Sequence, residues 1–324
     1  MISPAPDRSA AAAAIVQPGL QTLIRVAVFA AVLIGIWWLS PVFFRPSNLI
    51  NVLVQASMLA ILALGMTVVM IGGGIDLSLP ANMALSGIFG SMAMSATGSV
   101  GLGCAAMLVT GACIGALNGA AVAYLRMIPF VVTLAMMTMA GGLSVWITNS
   151  TSISNQPEPF FTLFLSRPLG VPMAVLIMLT AGLVVQAILG LTRFGWQVYA
   201  VGTNPAASRI SRVPVARVLF QTYALAGLLA GLAAIVVTAR LGSASANVGN
   251  DSVILDVVTA CVIGGVSIYG GVGRPMAALA GAVFVLVLGN VLNLMGVSFF
   301  IGLMLKGAII IGLVALDGAR GRSA

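Results

Sequence analysis

The chain predicts an all-α, polytopic membrane protein of about ten transmembrane helices (about 8–11), some of them broken by glycine or re-entrant. Three observations carry this expectation. Of the 324 residues, 60% are hydrophobic and 6% are charged, against roughly 25% charged in a soluble domain. The apolar residues gather into segments near the ~20 residues that cross a bilayer. The arginines fall between those segments with a one-sided bias.

Taken in order, residues 1–20 are rich in Ala and Pro and are expected to form a mobile cytoplasmic N-terminus. Apolar segments follow at about 22–40, 49–71, 80–97, 101–124, 129–149, 169–192, 218–239, 253–269, 275–294 and 297–316. The first is followed by many others, so it reads as a span and not as a cleaved signal peptide. Segments 80–97 and 253–269 admit two readings, a full crossing or a half-membrane piece. The expectation is one transmembrane domain over 21–317 and a cytoplasmic tail over 318–324.

Arginine placement sets the orientation. With ten spans and a cytoplasmic N-terminus, the inner loops hold Arg8, Arg126, Arg193, Arg209, Arg212, Arg217, Arg274, Arg320 and Arg322. The outer loops hold Arg45, Arg167 and Arg240. This is the positive-inside bias, and it predicts that both termini are cytoplasmic. The arginines are spread over short loops without aromatic interleaving, so no nucleic-acid role is expected.

Two polar connections stand out. In 150–168, outside, Phe160, Phe161 and Phe164 are spaced for a short helix lying at the membrane interface. In 193–217, inside, Asn204 is a good N-cap and Pro205 suits a first helical position. Ala206, Ala207, Ser208, Arg209 and Ile210 continue that helix, and Pro214 ends it. A short basic helix between two spans suits docking onto a cytosolic partner.

Absences narrow the chemistry. There is no histidine, so His-based acid–base catalysis and His metal sites are excluded. Cys104, Cys113 and Cys261 lie in apolar segments with no metal or redox spacing. No GxxxxGK[ST] run occurs, so the chain has no P-loop of its own. No catalytic residue, metal ligand or cofactor is expected in this chain.

The most informative stretch is Val68-Val69-Met70-Ile71-Gly72-Gly73-Gly74-Ile75-Asp76-Leu77-Ser78. An apolar run breaks at three glycines and is followed by a lone acid. Inside a membrane, broken helices and isolated acids mark working sites; the ordinary alternative is a turn in which Asp76 or Ser78 caps the next helix. Val262-Ile263-Gly264-Gly265 opening towards Ala278-Leu279-Ala280-Gly281 echoes Met70-Ile71-Gly72-Gly73 opening towards Met83-Ala84-Leu85-Ser86-Gly87. Asn118, Asn290 and Asn293 are amides within apolar spans. They are either interhelical glue or the lining of a path for a hydroxyl-rich solute, with Phe130 or Trp146 as apolar stacking surfaces. Gly111, Gly115 and Gly119, and Gly227 with Gly231, form small-residue stripes suited to close helix packing. Asp251 and Asp256 read as a loop charge and a cap. Lys306 sits mid-span, where it pairs with an acid or snorkels.

Gly73-Gly74-Ile75-Asp76-Leu77-Ser78 resembles the signature of the ribose/xylose/galactose-type permeases of ABC importers. The resemblance continues in Leu117-Asn118-Gly119 through Pro129-Phe130-Val131-Val132-Thr133-Leu134. It is seen again in Phe194-Gly195-Trp196 through Gly202-Thr203-Asn204-Pro205-Ala206-Ala207, like that family's cytoplasmic coupling loop. Leu255-Asp256, Val262-Ile263-Gly264-Gly265, Tyr269-Gly270-Gly271-Val272-Gly273 and Lys306-Gly307 extend it over about residues 48 to 317. It implies a binding-protein-dependent permease of a bacterial inner membrane carrying a monosaccharide-like solute. The implied partners are a cytosolic ATPase that binds ATP and Mg, a periplasmic solute-binding protein, and a second permease copy or paralogue. It places ATPase coupling at Tyr199, Gly202, Asn204, Pro205, Ala206, Ala207, Arg209 and Ser211. The translocation pathway is placed at Gly73, Gly74, Asp76, Ser78, Asn118, Phe130, Asn290 and Asn293.

The rival reading is an ion-coupled secondary transporter or channel for a small polar solute. It needs coupling carboxylates within the spans, and Asp76 is the convincing one. A membrane enzyme is the third, and no nucleophile–base pair or metal set supports it.

Overall fold

The computed structural model describes residues 41–249, 251–298, 300–304 and 307–308. The expected first span at 22–40, Lys306 and most of the segment 297–316 lie outside the described residues. Among the described residues the fold is all-α, with one isolated bridge between Ile153 and Ala244. Six helices are long and apolar enough to cross a membrane; the expected ten are not reached within the described residues.

Helix α1 (Pro46–Ile71) runs through the middle of the bundle. Pro46 gives the fixed φ suited to a first helical turn. The helix is apolar on every side, and each residue from Leu59 to Ile71 is buried, as expected for a helix packed all round by others. It stops at the glycines, and α2 (Leu79–Thr97) starts seven residues beyond Gly72. Segment 80–97 is therefore a 19-residue helix with a polar interior stripe of Asn82, Ser86 and Ser91. Those groups are satisfied: Asn82 Nδ2 donates to the Gly111 carbonyl at 3.1 Å and Ser86 Oγ donates to Asn82 Oδ1 at 3.2 Å. Polar stripes lower its hydropathy without requiring exposure.

Helices α3 (Val100–Ala123) and α4 (Pro129–Thr148) follow, with Ser99 capping α3 and Pro129 opening α4. The short α5 (Glu158–Phe164) forms where three phenylalanines were spaced for it. Within it Phe160 is fully buried and packs edge-on against Phe161 and tilted against Phe164. Helix α6 (Met173–Leu191) leads into two short helices, α7 (Arg193–Thr203) and α8 (Pro205–Ile210). The short helix expected after Asn204 is α8, which ends at Ile210, before Pro214. The chain turns at Asn204 (φ −155°, ψ 97°), since Pro205 lacks an N–H and restricts the residue before it.

Helix α9 (Val215–Leu241) packs most extensively on α3. The two small-residue stripes meet each other there. A Cβ on Gly111 would strike Gly227 O and lie 2.7 Å from Gly231 N, and one on Gly119 would lie 2.8 Å from Phe220 O. The glycines thus serve intramolecular packing. Helix α10 (Asp251–Ile263) has 13 residues, about 20 Å at 1.5 Å per residue. That is shorter than the ~20 residues of a full helical crossing, and α10 ends just before Gly264–Gly265. The chain then continues through a glycine-rich loop to α11 (Pro275–Leu294).

Candidate functional site

The break between α1 and α2 is a built structure. Gly72, Gly73 and Gly74 donate back to Val68, Met70 and Val69 at 3.2, 2.9 and 3.0 Å, closing the end of α1. Gly73 takes φ +83°, a conformation that costs glycine little. Asp76 Oδ1 accepts from Ser78 N at 2.9 Å and Ser78 Oγ at 2.6 Å. From α3, Asn118 Nδ2 donates to Ser78 Oγ at 2.8 Å and reaches Asp76 Oδ1 at 3.4 Å. Asp76, Ser78 and Asn118 are each fully buried. The Ile75 carbonyl accepts from Thr133 on α4 at 3.3 Å and from Tyr223 on α9 at 3.5 Å. Three helices therefore hold the interruption. Asp76 Oδ2 and Asn118 Oδ1 stay without a hydrogen-bond donor.

Three of the residues expected on the pathway are thus together, but in a sealed cluster. Its polar contacts are all among Asp76, Ser78 and Asn118, with no second carboxylate to relay a proton. The glue reading of Asn118 describes this geometry, whereas neither Asp76 nor Ser78 caps α2 through its side chain: Asp76 instead closes a turn onto Ser78 N.

A second convergence joins the two groups of expected residues. Gly73, on the surface at the end of α1, faces Gly202 of α7. A Cβ on Gly202 would overlap the Ile71 carbonyl oxygen and lie 2.7 Å from Gly271 N. A Cβ on Gly270 would lie 2.8 Å from Gly202 O and 3.0 Å from Gly73 Cα. Gly271 N donates to the Ile71 carbonyl at 2.9 Å, and Tyr199 OH donates to the Gly273 carbonyl at 2.8 Å. The first glycine break and the glycine-rich loop that follows α10 therefore meet at α7, backbone against backbone, while Gly264 of the echo packs on Ala277 and Ala278 instead. Burial pushes the Tyr199 hydroxyl above its ordinary range, and the Arg274 charge pulls it partly back.

Beyond this node the chain presents an outward surface. Thr192 caps α7 by accepting from Gly195 N at 3.2 Å, and Asn204 Oδ1 accepts from Ala207 N at 2.9 Å. Asn204, Pro205, Ala206, Ala207, Arg209 and Ser211 are exposed, while Ser208 is buried and anchors α8. Ile210 is 85% exposed. The exposed tip of α8 is thus apolar at Ile210, with Arg209 and Arg212 exposed beside it.

The remaining expected residues divide. Asn290 lies on α11 and exchanges two hydrogen bonds with Asn48 on α1, at 2.9 and 3.1 Å. Asn293 lines a cavity beside it. Phe130 is exposed at the start of α4, and Trp146 lines a separate apolar groove of about 550 Å³ with Leu117 and Met139. Neither aromatic stands beside Asn290 or Asn293. Sequence reasoning missed Asn48, Gln55 and Tyr223, and named Thr133, Gly270 and Gly271 only within family-like motifs and not as site residues. The seven-residue spacing of Asn48 and Gln55 on one stripe of α1 was the available signal for the first two.

Residues 48–314 match the family described as "Branched-chain amino acid transport system / permease component". The ribose import permease protein RbsC of Escherichia coli is 39% identical over 286 residues, covering 87% of this chain and 89% of that protein. The L-arabinose ABC transporter permease protein AraH of Azospirillum brasilense is 33% identical, covering 98% of this chain and 94% of its own. The D-allose transport system permease protein AlsC of Escherichia coli is 31% identical, covering 86% of each. No solved structure matches the chain. With six apolar helices, a glycine-broken interior and this breadth of similarity, the chain belongs to that permease family and is a multi-pass membrane permease subunit.

Proposed function

We propose that this permease serves an ABC importer of a bacterial inner membrane and moves a monosaccharide-like solute from a periplasmic binding protein into the cytoplasm. ATP and Mg belong to a separate cytosolic ATPase that docks on α7 and α8. A second permease copy or paralogue completes the pathway. Three relatives named for ribose, arabinose and allose support the solute class. The arginine bias supports cytoplasmic termini and a cytoplasmic α7–α8.

The carrying observation is the contact of α7 with the first helix break and with the loop after α10, through Gly73, Gly202, Gly270 and Gly271. Close-packed backbone is not compressible, so small shifts pass on as rigid-body motion. Closure of the ATPase would push α8 and α7, and that push would reach the end of α1 and the loop after α10 together. The two interruptions would then move as one unit, switching outward to inward access.

The test is uptake by the permease reconstituted with its binding protein and ATPase, with D-ribose, L-arabinose and D-allose offered separately. ATP-dependent uptake of one sugar, unaffected by proton or sodium ionophores, is the expected result. Uptake without the ATPase, driven by an ion gradient, would establish the ion-coupled reading instead.

A further inference from the structure

Two carboxamide-bearing faces meet at the end of the bundle opposite the glycine node. On α1, Asn48 and Gln55 lie two turns apart on one stripe. On α11, Asn290 and Asn293 lie one turn apart. Asn48 and Asn290 satisfy each other, at 2.9 and 3.1 Å, and Asn48 Nδ2 also donates to the Phe43 carbonyl at 2.9 Å. This locks the helices together. Beside the pair is a cavity of about 160 Å³ lined by Gln55, Gly289, Asn290 and Asn293. Gly289 and Asn293 also line a neighbouring cavity of about 280 Å³.

Three features point to a ligand. The side chains of Gln55 and Asn293 have no hydrogen-bond partner among the described residues. Unpaired carboxamides are unfavourable against hydrocarbon, so this face calls for water or a polar solute. A Cβ built on Gly289 meets no atom within 4 Å. Packing does not demand a glycine there; its effect is to leave the cavity open. Among the described residues, no charged side chain lines either cavity. A zwitterionic amino acid would leave its ammonium and carboxylate uncompensated there. Neighbouring hydroxyls, each donor and acceptor, match neutral carboxamides.

We propose that this cavity is a binding subsite for the hydroxyl groups of the transported solute, in the outer half of the pathway. The inference rests on the sugar-importer reading above. With cytoplasmic termini, the start of α1 and the end of α11 face the periplasm, where the binding protein would release its cargo. The Asn48–Asn290 pair fixes the frame, and Gln55 and Asn293 supply the free donors and acceptors.

The experiment places single cysteines at Gln55 and Asn293 after replacing Cys104, Cys113 and Cys261, in the assembled importer. Reaction with a small thiol reagent is timed with excess D-ribose, L-arabinose, D-allose or leucine. Variants are normalised to membrane abundance. The transported sugar should slow labelling severalfold and leucine should not. Asn293→Leu should reduce sugar uptake about tenfold, as for loss of a hydrogen-bonding side chain, with Asn293→Gln recovering most of it. Gly289→Phe should abolish uptake by filling the cavity. Labelling unchanged by the transported sugar, together with normal uptake by Asn293→Leu and Gly289→Phe, would overturn the subsite and leave the importer reading intact. Protection by leucine would overturn the hydroxyl assignment. Lack of uptake of all three sugars by the unsubstituted protein would sink the sugar reading, and this subsite with it.

Discussion

Gly202 of α7 sits on the Ile71 carbonyl at the end of α1 so closely that a single added carbon would overlap it. The same carbonyl accepts from Gly271 N at 2.9 Å. One backbone oxygen therefore ties the first helix break, the loop after α10 and the proposed ATPase-docking element. A side chain at Gly202 cannot be absorbed by rotamer adjustment, because its neighbours are backbone atoms.

Gly202→Ala should separate α7 from this node. Overpacking against rigid backbone costs about 1–3 kcal/mol, enough to displace a short helix without unfolding a bundle. Membrane abundance should stay near normal while sugar uptake falls by about tenfold or more. Gly141→Ala is the control, since a Cβ there meets no atom within 4 Å. Uptake by Gly202→Ala equal to that control would show that the node carries no motion.

Docking is tested at Ala207, which is exposed in the first turn of α8. An aspartate there suits the helix itself, because acids are favoured near an N-terminus. Ala207→Asp should thus keep α8 folded while placing an uncompensated acid in the interface. The permease should still insert, but lose co-purification with its ATPase or lose transport-stimulated hydrolysis. Full retention of both would rule out α8 as the contact.

Topology follows from charge. Single cysteines at Ser211 and Ser154, both exposed, in a background lacking Cys104, Cys113 and Cys261, should label from opposite sides of the membrane. Ser154 should react with an impermeant reagent applied outside and Ser211 only after permeabilisation. Labelling of both from outside would refute the arrangement with cytoplasmic termini.

Local chemistry made some features legible in the sequence, and distant partners hid others. Prolines 46, 129, 205 and 275 mark helix starts because a missing N–H is harmless there. Asn204 was readable as a cap because capping needs only the next three residues. Helix α7 was not legible as a separate element: its two glycines and polar residues look like loop, and its seat is provided by Ile71 and Gly271 from far away. The Asn48–Asn290 pair spans 242 positions, and no local pattern encodes such a partner. Grouping Asp76, Ser78 and Asn118 was possible from the apolar surroundings, since buried polar groups must find each other. Whether they line a path or seal a joint depends on Thr133 and Tyr223, which hold Ile75 from two other helices.

The last prediction concerns that joint. Asp76→Asn keeps Oδ1, so both bonds from Ser78 can persist. It also replaces the unpartnered Oδ2 with an amide that can donate, and Asn118 Oδ1 is an unpartnered acceptor in the same cluster. The variant should therefore retain substantial ATP-driven uptake, with thermal stability in nanodiscs equal to or above that of the parent. Asp76→Leu removes the acceptor and strands Ser78 N–H and Ser78 Oγ–H, while Asn118 keeps its own bond to Ser78 Oγ. Each buried group left unsatisfied costs about 1–3 kcal/mol, so this variant should be poorly stable and lose nearly all uptake. An ion-coupling carboxylate would behave otherwise, because coupling needs the charge and not the acceptor. Uptake that collapses with an ionophore at constant ATP, and that Asp76→Asn abolishes in a stably folded protein, would make Asp76 a coupling group and the chain a secondary transporter.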